Sequence, residues 1–250
     1  MSDDLLAVAV DAARAAGAVL LERAGEPRGV ATKSTPTDLV SDADLAAERA
    51  IRDVLRARRP GDAILGEEGG DLAGTTGVRW VVDPLDGTVN FLFGLPQWCV
   101  SVACEGRAAA ILDPVRDELF AVRAGEAATL DGAPLRGSAR EELSTALVAT
   151  GFSYDAGVRA RQAQVVSRVL PRVADIRRLG SAALDLAWTA AGRCDAFYER
   201  GVSAWDTAAG TMLCAGAGLE VRELAPVDGL PGGVLAAPPA LVAPLLALVS

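Results

Sequence analysis

The 250-residue chain contains no histidine. That absence excludes Ser-His-Asp and Cys-His nucleophilic machinery, and zinc held through imidazole. Acid–base or metal chemistry is left to carboxylates, hydroxyls, water or lysine. Lysine is nearly absent too. Lys33 is the only one, and every other basic residue is arginine. Cysteine is sparse: Cys99, Cys104, Cys194 and Cys214 stand among apolar neighbours, with no C-x-x-C pair. They read as buried free thiols. The start, Met1-Ser2-Asp3-Asp4, is acidic and lacks the basic opening of a secretory signal, so a cytoplasmic location is expected. The apolar tail Gly233 to Val249 is short for a membrane span and carries Pro238, Pro239 and Pro244. A buried final strand and a short closing helix fit it better.

What is present is acid and apolar bulk. The net charge of -9 makes nucleic acid and anionic membranes poor partners. A hydrophobic content of 51% supports a sizeable core. The length allows one large domain or two intimate halves. These are expected at 1–140 and 141–250, meeting near Ser138 to Glu142.

The informative stretch is Val81-Val82-Asp83-Pro84-Leu85-Asp86-Gly87-Thr88-Val89-Asn90-Phe91. Val78 to Val82 reads as a buried strand ending at Asp83, which Pro84 biases toward extended backbone. Asp86 follows three residues later, and Gly87-Thr88 permits a sharp turn into a helix. Two carboxylates leaving a strand through a proline turn can share one small volume, which suits a hard divalent cation. A helix start beside them offers N–H groups to a phosphate. Asp-Pro and Asp-Gly are also ordinary turn dipeptides, so the short pattern alone is more often a loop than a metal site.

Before this stretch, Asp3 to about Arg23 reads as an amphipathic helix, with Leu5, Val8, Ala12, Val19 and Leu20 near one face and Ser2 as cap. Lys33 to Asp44 leads into a second helix, whose apolar face carries Ala47, Ile51, Val54 and Leu55. Ser41 and Asp44 have capping-box spacing, which gives Asp44 an ordinary structural role. A short strand, Ala63 to Leu65, then meets Gly66-Glu67-Glu68-Gly69-Gly70. The two glutamates fit a solvated loop, and the loop Gly69 to Gly77 reads as mobile.

After it, strands are expected at Trp98–Ala103, Ala108–Asp113 and Glu118–Val122, the last two antiparallel. The second half alternates: strand Leu147–Thr150, helix about Gly157–Leu170, strand Asp175–Leu179, helix from Ser181-Ala182 to about Ala191, strand Cys194–Tyr198. Such alternation points to α/β architecture. Ser181 is a natural N-cap. Asp206, in Trp205-Asp206-Thr207-Ala208-Ala209-Gly210, opens a helix of small residues and could be no more than its cap.

Four blocks in order, Lys33 to Asp44, Glu67-Glu68, Asp83 to Phe91 and Trp205 to Gly210, resemble the inositol monophosphatase family of magnesium-dependent, lithium-sensitive phosphatases. The resemblance covers nearly the whole chain and departs at none of the metal-binding positions. It implies a layered αβαβα sandwich of the type shared with fructose-1,6-bisphosphatase. It also implies a homodimer and a phosphomonoesterase acting on a small polyol phosphate, inositol-1-phosphate first.

The resemblance further implies that Glu67, Asp83 and the Leu85 carbonyl hold one Mg2+. Asp83, Asp86 and Asp206 hold a second, and a weaker third sits near Glu67. Lys33 lies near the metals. On that basis a metal-held water attacks phosphorus in line, Thr88 and Asp44 orient it and take its proton, and Glu68 assists. The Gly87 and Thr88 amides cradle the phosphate, Ser181 and Ala182 lie against the substrate, and Glu199 matches a position that contacts sugar-like hydroxyls.

A haloacid-dehalogenase-type phosphatase would carry D-x-D, whereas the spacing here is D-x-x-D. Relatives acting on histidinol phosphate, fructose-1,6-bisphosphate or 3'-phosphoadenosine remain alternatives. Asn90 to Pro96 is closer to the inositol branch. Some relatives act as regulatory binding proteins, which is the reading outside enzymology.

Overall fold

Strand residues alternate between two apolar environments, and that alternation builds the molecule. The computed structural model describes residues 4–25, 29–32 and 39–250. In chain order the elements are α1 (Leu5–Arg23), β1 (Ala31–Thr32), β2 (Leu39–Val40), α2 (Asp42–Arg58), β3 (Ala63–Gly66), β4 (Gly70–Leu72), β5 (Arg79–Asp86), α3 (Thr88–Leu92), β6 (Cys99–Cys104), β7 (Ala108–Asp113), β8 (Glu118–Arg123), β9 (Thr129–Leu130) and β10 (Ala133–Pro134). The second part holds β11 (Leu147–Thr150), α4 (Ala156–Val169), β12 (Asp175–Arg177), α5 (Ala182–Ala190), β13 (Ala196–Arg200), α6 (Ala204–Gly216), β14 (Glu220–Leu224), β15 (Gly233–Ala237) and α7 (Pro239–Val249).

An eight-stranded sheet runs β10-β9-β8-β7-β6-β5-β3-β4, and a five-stranded sheet runs β12-β11-β13-β15-β14. The larger is antiparallel except where β3 meets β5. In β6, Val100, Val102 and Cys104 join α1 and α2 in one core, while Cys99 and Ala103 face a second core with α5 and α6. β7 splits the same way, Ala110 and Leu112 against Ala109 and Ile111. In the smaller sheet Ala149, Phe197 and Ala236 turn toward α5 and α6, and Val148, Tyr198 and Leu235 toward a third core with α4 and α7. Period-two alternation therefore yields five layers: helices, sheet, helices, sheet, helices. This is the expected αβαβα sandwich, a mixed α/β fold.

Local signals explain the boundaries, and several differ from expectation. Ser2 and Asp3 lie outside the described residues; Asp4 caps α1, its Oδ1 accepting from the Leu6 amide at 3.0 Å. Asp155 caps α4 through the Val158 amide at 2.9 Å. The stretch expected as a loop from Gly69 to Gly77 contains β4, which pairs antiparallel with β3. The closing segment is a buried strand and helix, as its prolines indicate. No helix among the described residues is long and apolar enough to cross a membrane. All four cysteines are free and buried.

Strand β5 is the difference that matters most. It does not stop at Asp83 but continues through Pro84 to Asp86. Asp83 pairs with Ser101 and Asp86 with Cys99, so three steps on β5 oppose two on β6. The extra residue is a bulge, a place where a proline without an N–H is tolerated. In a regular strand a D-x-x-D spacing would point the two carboxylates to opposite faces. The bulge returns both to the face covered by α5 and α6.

Candidate metal and phosphate site

Two elements deliver three carboxylates to one point. β5 brings Asp83 and Asp86, and the start of α6 brings Asp206. Oxygens of these three residues lie within 4.8 Å of one another. Asp206 is not the helix cap: Ser203 holds that position and donates its amide to Asp206 Oδ2 at 2.6 Å. Ser181 stands at the N-cap position of α5 but makes no side-chain cap bond. Its hydroxyl instead donates to Asp86 Oδ2 at 2.7 Å, beside the Ala183 amide at 2.6 Å. Asp83 Oδ1 accepts from the Leu85 amide at 3.0 Å.

This cluster floors a cleft of about 410 Å³, lined also by Glu67, Leu85, Gly87, Thr88, Ser181, Ala182 and Glu199. Asp44 is fully buried behind Thr88. Its two oxygens divide two tasks. Oδ1 lies 2.9 Å from the Thr88 hydroxyl, and Oδ2 accepts from the Ser41 amide at 2.9 Å and hydroxyl at 2.6 Å. The cap and the contact with the central motif thus coexist. The Thr88 hydroxyl also lies 3.1 Å from the Leu85 carbonyl, so its one proton serves one acceptor at a time. Gly87 has φ of 100°, and a Cβ there would stand 2.9 Å from the Gln97 carbonyl. Glycine is required by both conformation and space. Asn90 donates to the Gln97 carbonyl at 2.7 Å and the Leu179 carbonyl at 2.8 Å, joining the central motif to the turn before α5. Lys33 lies outside the described residues.

Electrostatics follow from burial. Asp83 is raised well above the usual carboxylate range by desolvation, then by the charges of Glu67, Asp86 and Asp206. Asp206 is pushed up to about 8 by desolvation and then by Asp86. Asp86 reaches only about 6, because the Ser181 hydroxyl and Ala183 amide oppose the cost of burial. Glu199 is pushed to about 8 by desolvation and by Asp206 and Asp86, with Arg178 pulling it back. Crowded oxygen donors held partly protonated by burial and then by mutual repulsion fit a divalent cation, whose charge offsets both.

Some residues at or near the cleft went unremarked in the sequence. Arg178 lines it, and its guanidinium lies 5.9 Å from the Phe152 ring centroid. Nothing in an arginine-rich chain marks that one. Asp185 is buried in α5, with Oδ1 unpartnered. An acid inside the apolar run Ala182-Ala183-Leu184-Asp185-Leu186 was a legible signal. Glu48, also buried, sits one helical turn after Asp44, a spacing that places it on the same face.

The model of the inositol monophosphatase family matches residues 1–249. An inositol-1-monophosphatase SuhB from Mycobacterium tuberculosis is 44% identical over 242 residues, covering 91% of this chain and 83% of that protein. A Nus factor SuhB from Escherichia coli is 42% identical over 252 residues, covering 97% and 94%. The solved extragenic suppressor protein suhB from Bartonella henselae superposes with a TM-score of 0.90 at 35% identity, over 98% of each chain. The Thermotoga maritima IMPase gives 0.87 at 28% identity, over 98% of this chain and 96% of that one.

Proposed function

The chain belongs to the inositol monophosphatase family, and from that premise we propose that it is a Mg2+-dependent phosphomonoesterase of small polyol phosphates, inositol-1-phosphate first. The observation that carries this reading is the convergence of Asp83, Asp86 and Asp206 within 4.8 Å. In this proposal Glu67, Asp83 and the Leu85 carbonyl would hold one ion, Asp83, Asp86 and Asp206 would hold a second, and Glu67 would serve a weaker third. When bound, the ions neutralise phosphate charge and acidify a water.

The chain's own residues do the rest. Thr88, donating to Asp44, keeps lone pairs free to accept from the attacking water and so orients it. Asp44 is the proton's destination through that hydroxyl, and Glu68 assists. The Gly87 and Thr88 amides face the phosphate, and Ser181 and Ala182 close the opposite wall. Glu199, opposite Arg178, accepts from the hydroxyls of the polyol. Lithium inhibition is expected. A homodimer is part of the proposal, on the family resemblance; Phe93 at 74% exposure and Leu95 at 52%, two among several exposed apolar side chains, are the contact candidates. We place the protein in the cytoplasm, on its four free thiols.

Phosphate release from inositol-1-phosphate, histidinol phosphate, fructose-1,6-bisphosphate and a nucleotide 3'-phosphate, with Mg2+ and with chelator, tests the proposal. Fastest release from inositol-1-phosphate, abolished by chelator, is expected. Chelator-resistant release overturns the metal reading, and a preference for histidinol phosphate overturns the substrate.

A second, regulatory role is favoured by the 42% identity with the protein named Nus factor. With a net charge of -9, the partner in such a role is a protein surface rather than nucleic acid. A variant such as Asp83→Asn, which keeps the fold and loses the ion, separates the two roles.

A further inference from the structure

We infer that Glu48, braced by Arg52, is a positioning residue that fixes the Glu67–Glu68 turn and thereby sets how tightly the cleft holds its divalent ion. The inference rests on the metal reading proposed above, in which Glu67 is a ligand.

Glu67, Glu68 and Gly69 form the turn between β3 and β4. On its outer side this hairpin has little support, since all of β4 is exposed. Its inner side rests on α2. Glu48 Oε2 accepts from the Glu68 amide at 2.8 Å, and Oε1 from the Gly69 amide at 2.8 Å. Oε1 also takes the Arg52 Nε proton at 2.6 Å, and the same guanidinium donates to the Gly70 carbonyl at 2.9 Å. Both side chains are buried, Glu48 at 3% exposure and Arg52 at 8%. One carboxylate and one guanidinium therefore hold three successive residues by their backbone, Glu68 and Gly69 of the turn and Gly70 at the start of β4.

A buried ion pair is rarely the most stable filling for such a space; apolar residues of equal volume often serve stability better. What it supplies here is fixed direction. The glycines of Gly66-Glu67-Glu68-Gly69 point to the same role. A Cβ on Gly66 would lie 2.6 Å from Glu48 Oε1, and one on Gly69 would collide with the same oxygen. The backbone must pass that close for the turn amides to reach the carboxylate. Helix α2 thus supports the site at two places one turn apart, Asp44 through Thr88 and Glu48 through Glu68 and Gly69. A ligand carboxylate ordered in advance does not lose its freedom when the ion arrives, so affinity follows its ordering.

The test uses Mn2+ as the probe, titrated into metal-free protein and followed by its paramagnetic resonance signal, with amide hydrogen exchange measured in parallel. Glu48→Gln preserves shape but turns one acceptor into a donor facing an amide. The expected result is Mn2+ affinity weakened by about tenfold or more. Exchange at Glu68 and Gly69 should accelerate by a similar factor, while the β6 and β7 amides stay protected. Wild-type Mn2+ affinity in Glu48→Gln overturns the inference, whatever happens to melting temperature. Asp83→Asn is the control for the underlying reading. Should it bind Mn2+ as wild type does, the metal reading itself fails. Should it lose Mn2+ while Glu48→Gln does not, only the positioning role fails. If Glu48→Gln does not fold, Arg52→Lys decides: it keeps the charge but loses the guanidinium fork, and weaker Mn2+ binding with faster exchange at the turn is expected. Unchanged binding in that variant overturns the inference.

Discussion

At Asp86 two effects oppose each other, and burial wins. Burial drives its carboxyl toward protonation, and the Ser181 hydroxyl and Ala183 amide pull it back, leaving it near 6 where Asp206 reaches about 8. Removing the hydroxyl withdraws a donor from the charged form, so Ser181→Ala raises the Asp86 pKa further. Less of the enzyme is then ready for the ion at a given pH. The acid limb of the activity profile in Ser181→Ala should move to higher pH, and Mg2+ should partly reverse the shift. An unmoved limb would show that Ser181 serves only the substrate wall. For the carboxylates themselves, Asp83→Asn and Asp206→Asn should each lower turnover by about 100-fold or more. Near wild-type rates in either would sink the metal assignment. Thr88→Val keeps the shape and leaves Asp44 Oδ1 buried without its donor. It should lose activity and about 1–3 kcal/mol of stability, read by denaturant titration.

Among single elements, β13 carries a buried charged residue that does structural work, Arg200. Arg200 follows Glu199 on that strand and points into the opposite core. Its Nε and one terminal nitrogen each donate to the Val249 carbonyl at 3.1 Å. Its other terminal nitrogen donates to the Ala225 and Pro231 carbonyls at 2.8 and 2.9 Å. One guanidinium thus latches the end of α7 and the loop before β15. Arg200→Met should cost about 3 kcal/mol by stripping donors from these carbonyls, seen as a lower denaturation midpoint. Wild-type stability would show that water replaces those bonds without loss.

Elements were also what the sequence displayed best. β7 and β11 fall where alternation and turn residues put them, because short apolar strands between Gly, Pro and Asp turns are a local signal. The continuation of β5 past Pro84 was not legible. Whether a proline ends a strand or sits in a bulge depends on the partner strand, here Ser101 and Cys99 of β6. For the same reason the residues alone favoured a cap at Asp206, and only the resemblance made it a ligand: its place at the third helical position depends on Ser203 folding back. Asp83, Asp86 and Thr88 stood out because they lie within one short stretch of sequence. Glu48 and Arg178 did not, since their importance arises from contacts with residues far along the chain.

On the scale of the whole molecule, α5 and α6 pack against both sheets in one shared core. The cleft lies where that middle layer meets the end of β5, so it draws on both parts of the chain. Its buried acids act on global stability. Asp86, Asp206 and Glu199 hold their protons more tightly folded than unfolded. Their contribution is complete below about pH 4 and is lost as pH rises through 6 and then 8. The metal-free protein should therefore melt at a lower temperature at pH 8.5 than at pH 6, by differential scanning fluorimetry. Saturating Mg2+ should restore more at the higher pH. A Mg2+ effect independent of pH would mean that the ion does not meet these carboxylates.

The site is also its own indicator dye. With no histidine in the chain and Cys104, Cys194 and Cys214 pushed to about 11 or 12, little elsewhere exchanges protons near neutrality besides the terminal amine. A potentiometric titration of the folded apoprotein in that interval counts the cleft's protons almost directly. Their expulsion into unbuffered solution when a cation is added would report occupancy with no substrate, label or mutation.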